Sequence, residues 1–354
     1  MKIGFLAHGK SVWMHHWASL LTKLRYDIVY FSFDPPSQTF PFQYQIIPSF
    51  FLRGFLKFIF TAKFLQTSAK THKIDVFHAF YSTNYGLIGS LQHQVPLIVT
   101  VAGSDLLLEP HRSIFFKWVN RYVTKRARFV NAVSEELRDV LISEYAINPA
   151  KIRVFAEGVD LNALHFDVRK QKSRNMTIIS TRNFYDVYDP GTIFNAIPIV
   201  LKSFPDTHFL FLGDGPLLTK YQRFISSRHL LEQVSFGGWV PRRQLFEKLT
   251  HSHIYVSASR SDGTSTSLLE AMASGCLPIV SDIPANRQWI SNQQNGLLFR
   301  VGDSNSLAQS ICQAIEDPSW RQHAVRLNRH LVQTRASETE VAVKLEEMYS
   351  LAIS

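Results

Sequence analysis

Cysteine is nearly absent. Of 354 residues only Cys276 and Cys312 carry a thiol, and neither has His or Cys neighbours at metal-ligand spacing. That argues against a disulfide framework and a structural zinc site and leads us to expect a reducing, cytoplasmic home. Long uncharged apolar runs are missing too, and none reaches the roughly 18 residues of a membrane span, so no transmembrane helix is expected. The opening Met-Lys-Ile-Gly-Phe-Leu-Ala-His-Gly-Lys lacks the apolar core and small-residue cleavage site of a signal peptide, and it reads as a first strand entering a loop. Acidic residues are in deficit, 28 against 38 Lys and Arg, for a formal net charge of +10. Such a surplus suits an anionic partner, whether a nucleotide sugar, an acidic membrane surface or nucleic acid. What is plentiful is core material: 45% hydrophobic and 13% aromatic residues exclude intrinsic disorder and collagen-like or low-complexity classes.

The length fits two domains of about 150–180 residues each. Short β-branched or aromatic runs at Ile3–Leu6, Ile28–Phe33, Val76–Phe80, Leu97–Val101 and Phe129–Val133 alternate with helical patterns. The alternation resumes at Thr177–Ser180, His208–Leu212, Val234–Phe236, Ile254–Ser257 and Pro278–Ser281. Apolar strands separated by helical stretches are βαβ units, so each half is expected to be an α/β, Rossmann-like doubly wound domain. Between the halves, Asp160–Met176 crowds Arg169, Lys170, Lys172 and Arg174 into a stretch without apolar period, which places the expected boundary near residue 168. Residues 1–168 form the first expected domain and 169–336 the second. Residues 337–354 carry Val341, Val343, Leu345, Met348, Tyr349 and Leu351 at helical spacing, a docked amphipathic helix expected to pack back toward the first domain. No internal repeat at a fixed period is present.

The most informative stretch is Ser259–Ser281, SRSDGTSTSLLEAMASGCLPIVS, which reads as a polar loop, a helix from near Ser267, a stop at Gly275 and a buried strand. Gly263 permits a sharp turn, and the Thr264–Ser267 run combines small side chains with the backbone N–H groups of a helix start. Such an N-terminus carries about half a positive charge and forms a cradle for a diphosphate. Asp262 and Glu270, eight residues apart, present two carboxylates to one cleft from different depths, and paired acceptors suit vicinal sugar hydroxyls.

At these residues the chain resembles glycosyltransferase family 4, the retaining glycosyltransferases of two Rossmann-like domains facing a cleft (GT-B), and their E-x7-E signature. LFLGDGPL, VSFGGWV, SDIPANRQWI and NGLLF in the second half follow the family's order, and TVAGSDLL, NAVSEELRDVL and KIRVFAEGVD resemble it in the first. The resemblance implies an acceptor-binding first domain and a nucleotide-sugar-binding second domain. It further implies that Asp262, in the place of the first Glu and one methylene shorter, contacts the donor sugar, and that Glu270 holds the ribose hydroxyls. The amides of Thr266, Ser267 and Leu268 would meet the diphosphate, with Gly263 and Thr264 in the same loop. Arg182 would stabilise the leaving nucleoside diphosphate. The family Lys a few residues later is missing, and Arg260 is the candidate replacement. Gly238, Trp239 and Val240 would lie against the base, and Gly9 near the phosphates. His78 would reach the donor sugar, and Asp105 with Ser104 would serve the acceptor side, although Ala102 stands where the family often has His. No protein nucleophile, cofactor or metal is implied.

The resulting expectation is hexosyl transfer, with retention, from UDP-glucose or a related UDP-sugar to a saccharide or lipid-linked acceptor in polysaccharide or glycolipid assembly. The alternatives are a non-catalytic nucleotide-sugar-binding subunit and a metal-free epimerase or phosphorylase on the same scaffold. His15 and His16 diverge by about 100° on a helix and have no third ligand, so they are not read as a metal site. Basic, aromatic segments at Phe50–Leu65 and His111–Arg128 suit peripheral contact with an anionic membrane at its inner face, set against an ordinary solvated helix. Nucleic acid is not expected as a partner, because no nucleic-acid module is recognisable.

Overall fold

Strands buried on both faces need apolar side chains pointing up and down, and the central runs meet that demand. The computed structural model describes residues 1–11, 17, 20–36, 42–48, 55–164 and 175–354, with the side chains of 55–59 left aside. His15 and His16, the start of the Phe50–Leu65 segment and the basic cluster from Arg169 to Arg174 lie outside the described residues.

A first parallel sheet holds β1 (Lys2–Leu6), β2 (Asp27–Ser32), β3 (Gln43–Ile46), β4 (Val76–Phe80), β5 (Leu97–Val101), β6 (Phe129–Ala132) and β7 (Ile152–Val154), in the order β3-β2-β1-β4-β5-β6-β7. A second holds β8 (Thr177–Ser180), β9 (His208–Leu212), β10 (Val234–Gly238), β11 (Ile254–Ser257), β12 (Leu277–Ser281) and β13 (Leu297–Phe299), in the order β10-β9-β8-β11-β12-β13. Both are wound outward from the middle in both directions, the doubly wound arrangement expected from the sequence. The three strands missed by sequence reading, β3, β7 and β13, all sit at sheet edges. There β3 keeps every residue half-exposed or exposed, so its Gln-Tyr-Gln-Ile has no apolar run to detect.

The chain divides into one unit of Met1–Glu157 with Glu338–Ser354 and another of Gly158–Ser337. The division thus falls at residue 157 and not at 168. Its cause is a seam inside the second unit: Val159 N–H donates to the Ala336 carbonyl at 2.8 Å, and Val159 bridges Ser337. The chain's entry to and exit from that unit are thereby tied side by side ahead of the polar stretch that suggested the later boundary.

The last helix, Glu338–Ile353, shares a core with the first sheet, with Val341, Leu345, Met348 and Tyr349 clustering with Ile3, Phe5, Ile28 and Val76. One polar contact is set into this apolar layer. His78 on β4 is 0% exposed, with Nδ1 2.6 Å from the Tyr349 hydroxyl and Nε2 2.7 Å from that of Thr100. Burial pushes the imidazole down to about 3, so the ring stays neutral in the folded chain.

Tyr349→Phe strands one ring nitrogen in the core and should lower the stability of the first unit by about 1–3 kcal/mol, read from its urea midpoint; an unchanged midpoint would mean that the bond contributes nothing. A depressed histidine contributes stability that is complete above its unfolded value near 6.5 and is lost as pH falls toward 3. The stability gap between the wild type and His78→Gln should therefore shift by about 2 kcal/mol against the wild type between pH 7 and pH 5.

Candidate functional site

In an open α/β sheet, ligands bind outside the carboxyl ends of the two strands from which the winding diverges. In the second unit those strands are β8 and β11. Arg182 follows β8 and Asp262 follows β11, and the two meet there. The Arg182 guanidinium donates through Nη2 to Asp262 Oδ2 at 2.6 Å and through Nη1 to the hydroxyls of Ser265 and Ser267 at 2.9 and 3.2 Å. It lies 3.9 Å from the centre of the Tyr188 ring. The pair is largely withdrawn from water, with side chains 10% and 17% exposed. Burial alone would weaken the cation, but the Asp262 carboxylate, with Tyr255 and Tyr188, outweighs it and holds Arg182 above its ordinary range.

The loop that carries Arg182 is fixed from below. Phe184 N–H donates to the Asp214 carbonyl at 2.9 Å. Gly213 and Gly215 have φ of +124° and +148°, and a Cβ at Gly215 would come within 2.7 Å of the Phe184 carbonyl oxygen. The Gly-Asp-Gly turn therefore supports the Arg182 loop, and only glycine fits there.

The helix Thr266–Ala273 starts beside this pair. Its N-cap is Ser265, whose hydroxyl and carbonyl both accept from Leu268 N–H, at 3.3 and 3.0 Å. The Leu268 amide, expected to meet a diphosphate, is thus committed to the cap. Thr264 is buried, and its hydroxyl accepts from Gln288 at 2.7 Å; Gly263 N–H turns back to Asp262 Oδ1 at 3.0 Å. Thr266 and Ser267 stay half-buried at the helix entrance, and the Ser267 hydroxyl also lies 2.9 Å from that of Tyr255.

Glu270 sits one turn deeper, 8% exposed. Burial raises its carboxyl to about 7 against the opposing pull of Arg242, whose guanidinium is 3.3 Å away. Arg242 was not singled out in the sequence; its signal is the Pro-Arg-Arg that follows Gly238–Val240. Arg260, the candidate for the missing Lys, is instead bonded to Asp189 at 2.7 Å, and its own N–H donates to the Val187 carbonyl. It braces the Arg182 loop to the Asp262 loop. Gly238 takes φ +62° with no heavy atom near its missing Cβ, so backbone conformation demands glycine there, and Trp239 beside it is 69% exposed.

The first unit corrects two expectations. His78 is a core residue with both ring nitrogens occupied, so no nitrogen is left for a sugar. Asp105 is 0% exposed. Its carboxylate accepts from the N–H groups of Ala102 and Gly103 at 3.2 and 3.1 Å and from the N–H and hydroxyl of Ser82, both at 3.1 Å. Burial pushes this carboxyl up while those bonds hold it down. It is a clamp that joins the turns after β4 and β5, while its neighbour Ser104 remains half-buried. Gly9 donates its N–H to Ser32 Oγ at 2.9 Å, and a Cβ there would collide with the Tyr44 hydroxyl and lie 2.7 Å from the Asp34 carbonyl. Among the described residues, no cluster of His, Cys, Asp and Glu is arranged to hold a metal ion.

Residues 163–330 match the family described as glycosyl transferases group 1, and residues 8–163 match Glycosyltransferase Family 4. The UDP-Gal:alpha-D-GlcNAc-diphosphoundecaprenol alpha-1,3-galactosyltransferase of Escherichia coli is 25% identical over 267 residues, which are 70% of this chain and 68% of that protein. The phosphatidylinositol N-acetylglucosaminyltransferase GPI3 subunit of Saccharomyces cerevisiae is 22% identical over 224 residues, 59% of this chain and half of that one. Anabaena HepE in complex with UDP superposes with a TM-score of 0.85 over 99% of this chain and 100% of that chain, at 17% identity. The same protein with UDP-glucose gives 0.83 over 99% of each chain, at 18%.

A carboxyl raised to about 7 from 4.5 lowers stability as pH rises through that window, because the folded state must then ionise a buried group. Glu270→Gln removes the cost. The advantage of the substrate-free variant over the wild type should grow by about 2.5 kcal/mol between pH 5 and pH 8, in urea titrations of the second unit. Equal differences at both pH values would show that Glu270 is not raised.

Proposed function

The chain belongs to glycosyltransferase family 4 and is a hexosyltransferase, and on that premise we propose that it moves a hexose from a UDP-sugar, UDP-glucose first, to a saccharide or lipid-linked acceptor with retention of anomeric configuration. The observation that carries the reading is the convergence of Arg182 with the start of the Thr266–Ala273 helix at the divergence point of the second sheet. A guanidinium and a helix N-terminus are two preorganised positive elements. A pyrophosphate seated between them has its developing charge met as the bond from the anomeric carbon to the phosphate oxygen breaks. The acceptor oxygen attacks from the same face, and the departing phosphate takes the acceptor proton, leaving glycoside and UDP. Because Arg182 and the helix supply the positive charge that a divalent cation supplies elsewhere, turnover is expected without metal.

Asp262 meets the sugar hydroxyls and Glu270 the ribose hydroxyls in this reading, with Gly238, Trp239 and Val240 against the base. UDP as the carrier is supported by the name of the Escherichia coli galactosyltransferase and by the HepE complexes. Their sugars differ, which leaves the hexose to experiment. A lipid diphosphate acceptor is supported by the name of that same bacterial relative, and a glycan- or glycolipid-building role follows from it.

Release of nucleoside diphosphate from a panel of UDP-, GDP- and ADP-sugars, in EDTA, with and without lipid and oligosaccharide acceptors, tests the proposal. UDP should appear from one donor, with retained configuration at the anomeric carbon of the product, and Arg182→Lys should cut kcat about a hundredfold while moving KM far less. Release that needs added divalent metal would refute the charge assignment. Thermal stabilisation by UDP without any release would replace turnover by nucleotide-sugar binding alone.

A further inference from the structure

The helix Ile114–Arg126 has its core duty covered by one face, where Val119, Asn120, Val123 and Thr124 are buried. The opposite face still carries large apolar groups into solvent, with Ile114 79%, Phe115 54% and Trp118 61% exposed. Helical spacing lines these up with Arg121, Tyr122 and Lys125 in one stripe, apolar at the helix start and basic toward its end. The stripe is built and not frayed. Ser113 caps the helix by accepting from Phe115 N–H at 3.2 Å, and Trp118 stacks on Tyr122 at 5.7 Å with the rings 4° from parallel. No acidic residue occurs between Glu109 and Arg128.

We propose that this stripe is a docking surface for an anionic lipid bilayer, with the first-turn side chains and the Trp118–Tyr122 pair entering the headgroup region and the basic end facing lipid phosphates. Charge complementarity selects the occupant. A second copy meeting this face by twofold symmetry would set arginine and lysine against arginine and lysine, and the carboxylate that flanks the helix, Glu144, already lies 3.8 Å from Lys117. An anionic membrane offers negative charge and an apolar layer together, and aromatic rings with one polar edge favour that boundary. The contact is interfacial, since no described helix is long and apolar enough to cross a membrane. It stands independently of which donor or acceptor the enzyme uses.

Flotation of the full chain with vesicles tests it. The wild type should bind phosphatidylcholine vesicles containing phosphatidylglycerol about tenfold or more tightly than phosphatidylcholine alone, and high salt should erase the difference. Ile114→Ser, Phe115→Ser and Trp118→Ser combined should weaken binding about a hundredfold with an unchanged thermal melt, since these side chains are exposed. Arg121→Gln with Lys125→Gln should weaken it about twentyfold on anionic vesicles only. Absence of wild-type binding, equal affinity for both vesicle types, or binding untouched by the triple variant would overturn the proposal. So would a wild-type dimer in sedimentation velocity that the triple variant converts to monomer, which would assign the face to a second copy.

Discussion

The second unit turns on one ion pair withdrawn from water. Arg182 and Asp262 are contributed by loops after two neighbouring strands, and each would be costly in that position without the other. Their requirement propagates outward. The Arg182 loop is held by the Gly213–Gly215 turn and the Asp262 loop by the Ser265 cap, and Arg260 ties the first loop to the second through Asp189. A buried ion pair of this kind adds little to stability compared with an apolar pair of the same volume. Its presence is better explained by what a charged, preorganised group does for an arriving anion.

The charges around this point are matched in advance. Arg182 faces Asp262, Arg260 faces Asp189, and Arg242 faces Glu270. The first unit uses similar residue types to the opposite end. His78 and Asp105 lie on a central strand and just past another, where ligand-binding side chains are often found, yet both are 0% exposed and bonded to neighbours inside their own unit. Position at a strand end is therefore not enough. What separates Arg182 and Asp262 from His78 and Asp105 is a remnant of exposure, since Asp105 also sits at a helix start.

The doubly wound architecture was legible because central parallel strands are covered on both faces and leave continuous apolar runs. Edge strands such as Gln43–Ile46 are covered on fewer sides and leave no such signature. Arg182, Asp262 and Glu270 were marked out by the resemblance and local spacing, and the structure brings the first two together. Arg242 and Asp189 were not, because each acts on a partner far along the chain and no periodicity links them. His78 was misread for a related reason: a sequence shows that a polar residue lies in an apolar strand, but its partner Tyr349 sits 271 positions away. The domain division was shifted because polar composition marks a stretch without apolar period, while the seam at Val159 and Ala336 is made by backbone atoms that any sequence supplies.

The shorter acid at position 262 acquires a physical meaning from this geometry. Asp262 is already engaged with Arg182 at 2.6 Å and turns its other oxygen to Gly263 N–H, so in the absence of an anion it serves as the guanidinium's counter-ion. On the proposed reading a diphosphate takes over part of that service, because it is an anion arriving where Arg182 and the helix start already point. The carboxylate then loses part of its hold on Arg182 and gains acceptor capacity for hydroxyls on the sugar attached to that same diphosphate. Binding of the charged leaving group and recognition of the sugar are in that case coupled through one side chain, and a nucleoside diphosphate without its sugar would leave Asp262 under-used. Glu270 behaves analogously one turn deeper. Burial lifts the Glu270 carboxyl to about 7 beside Arg242, and hydroxyl donors from a ribose would favour the ionised form by supplying the hydrogen bonds that burial has taken away.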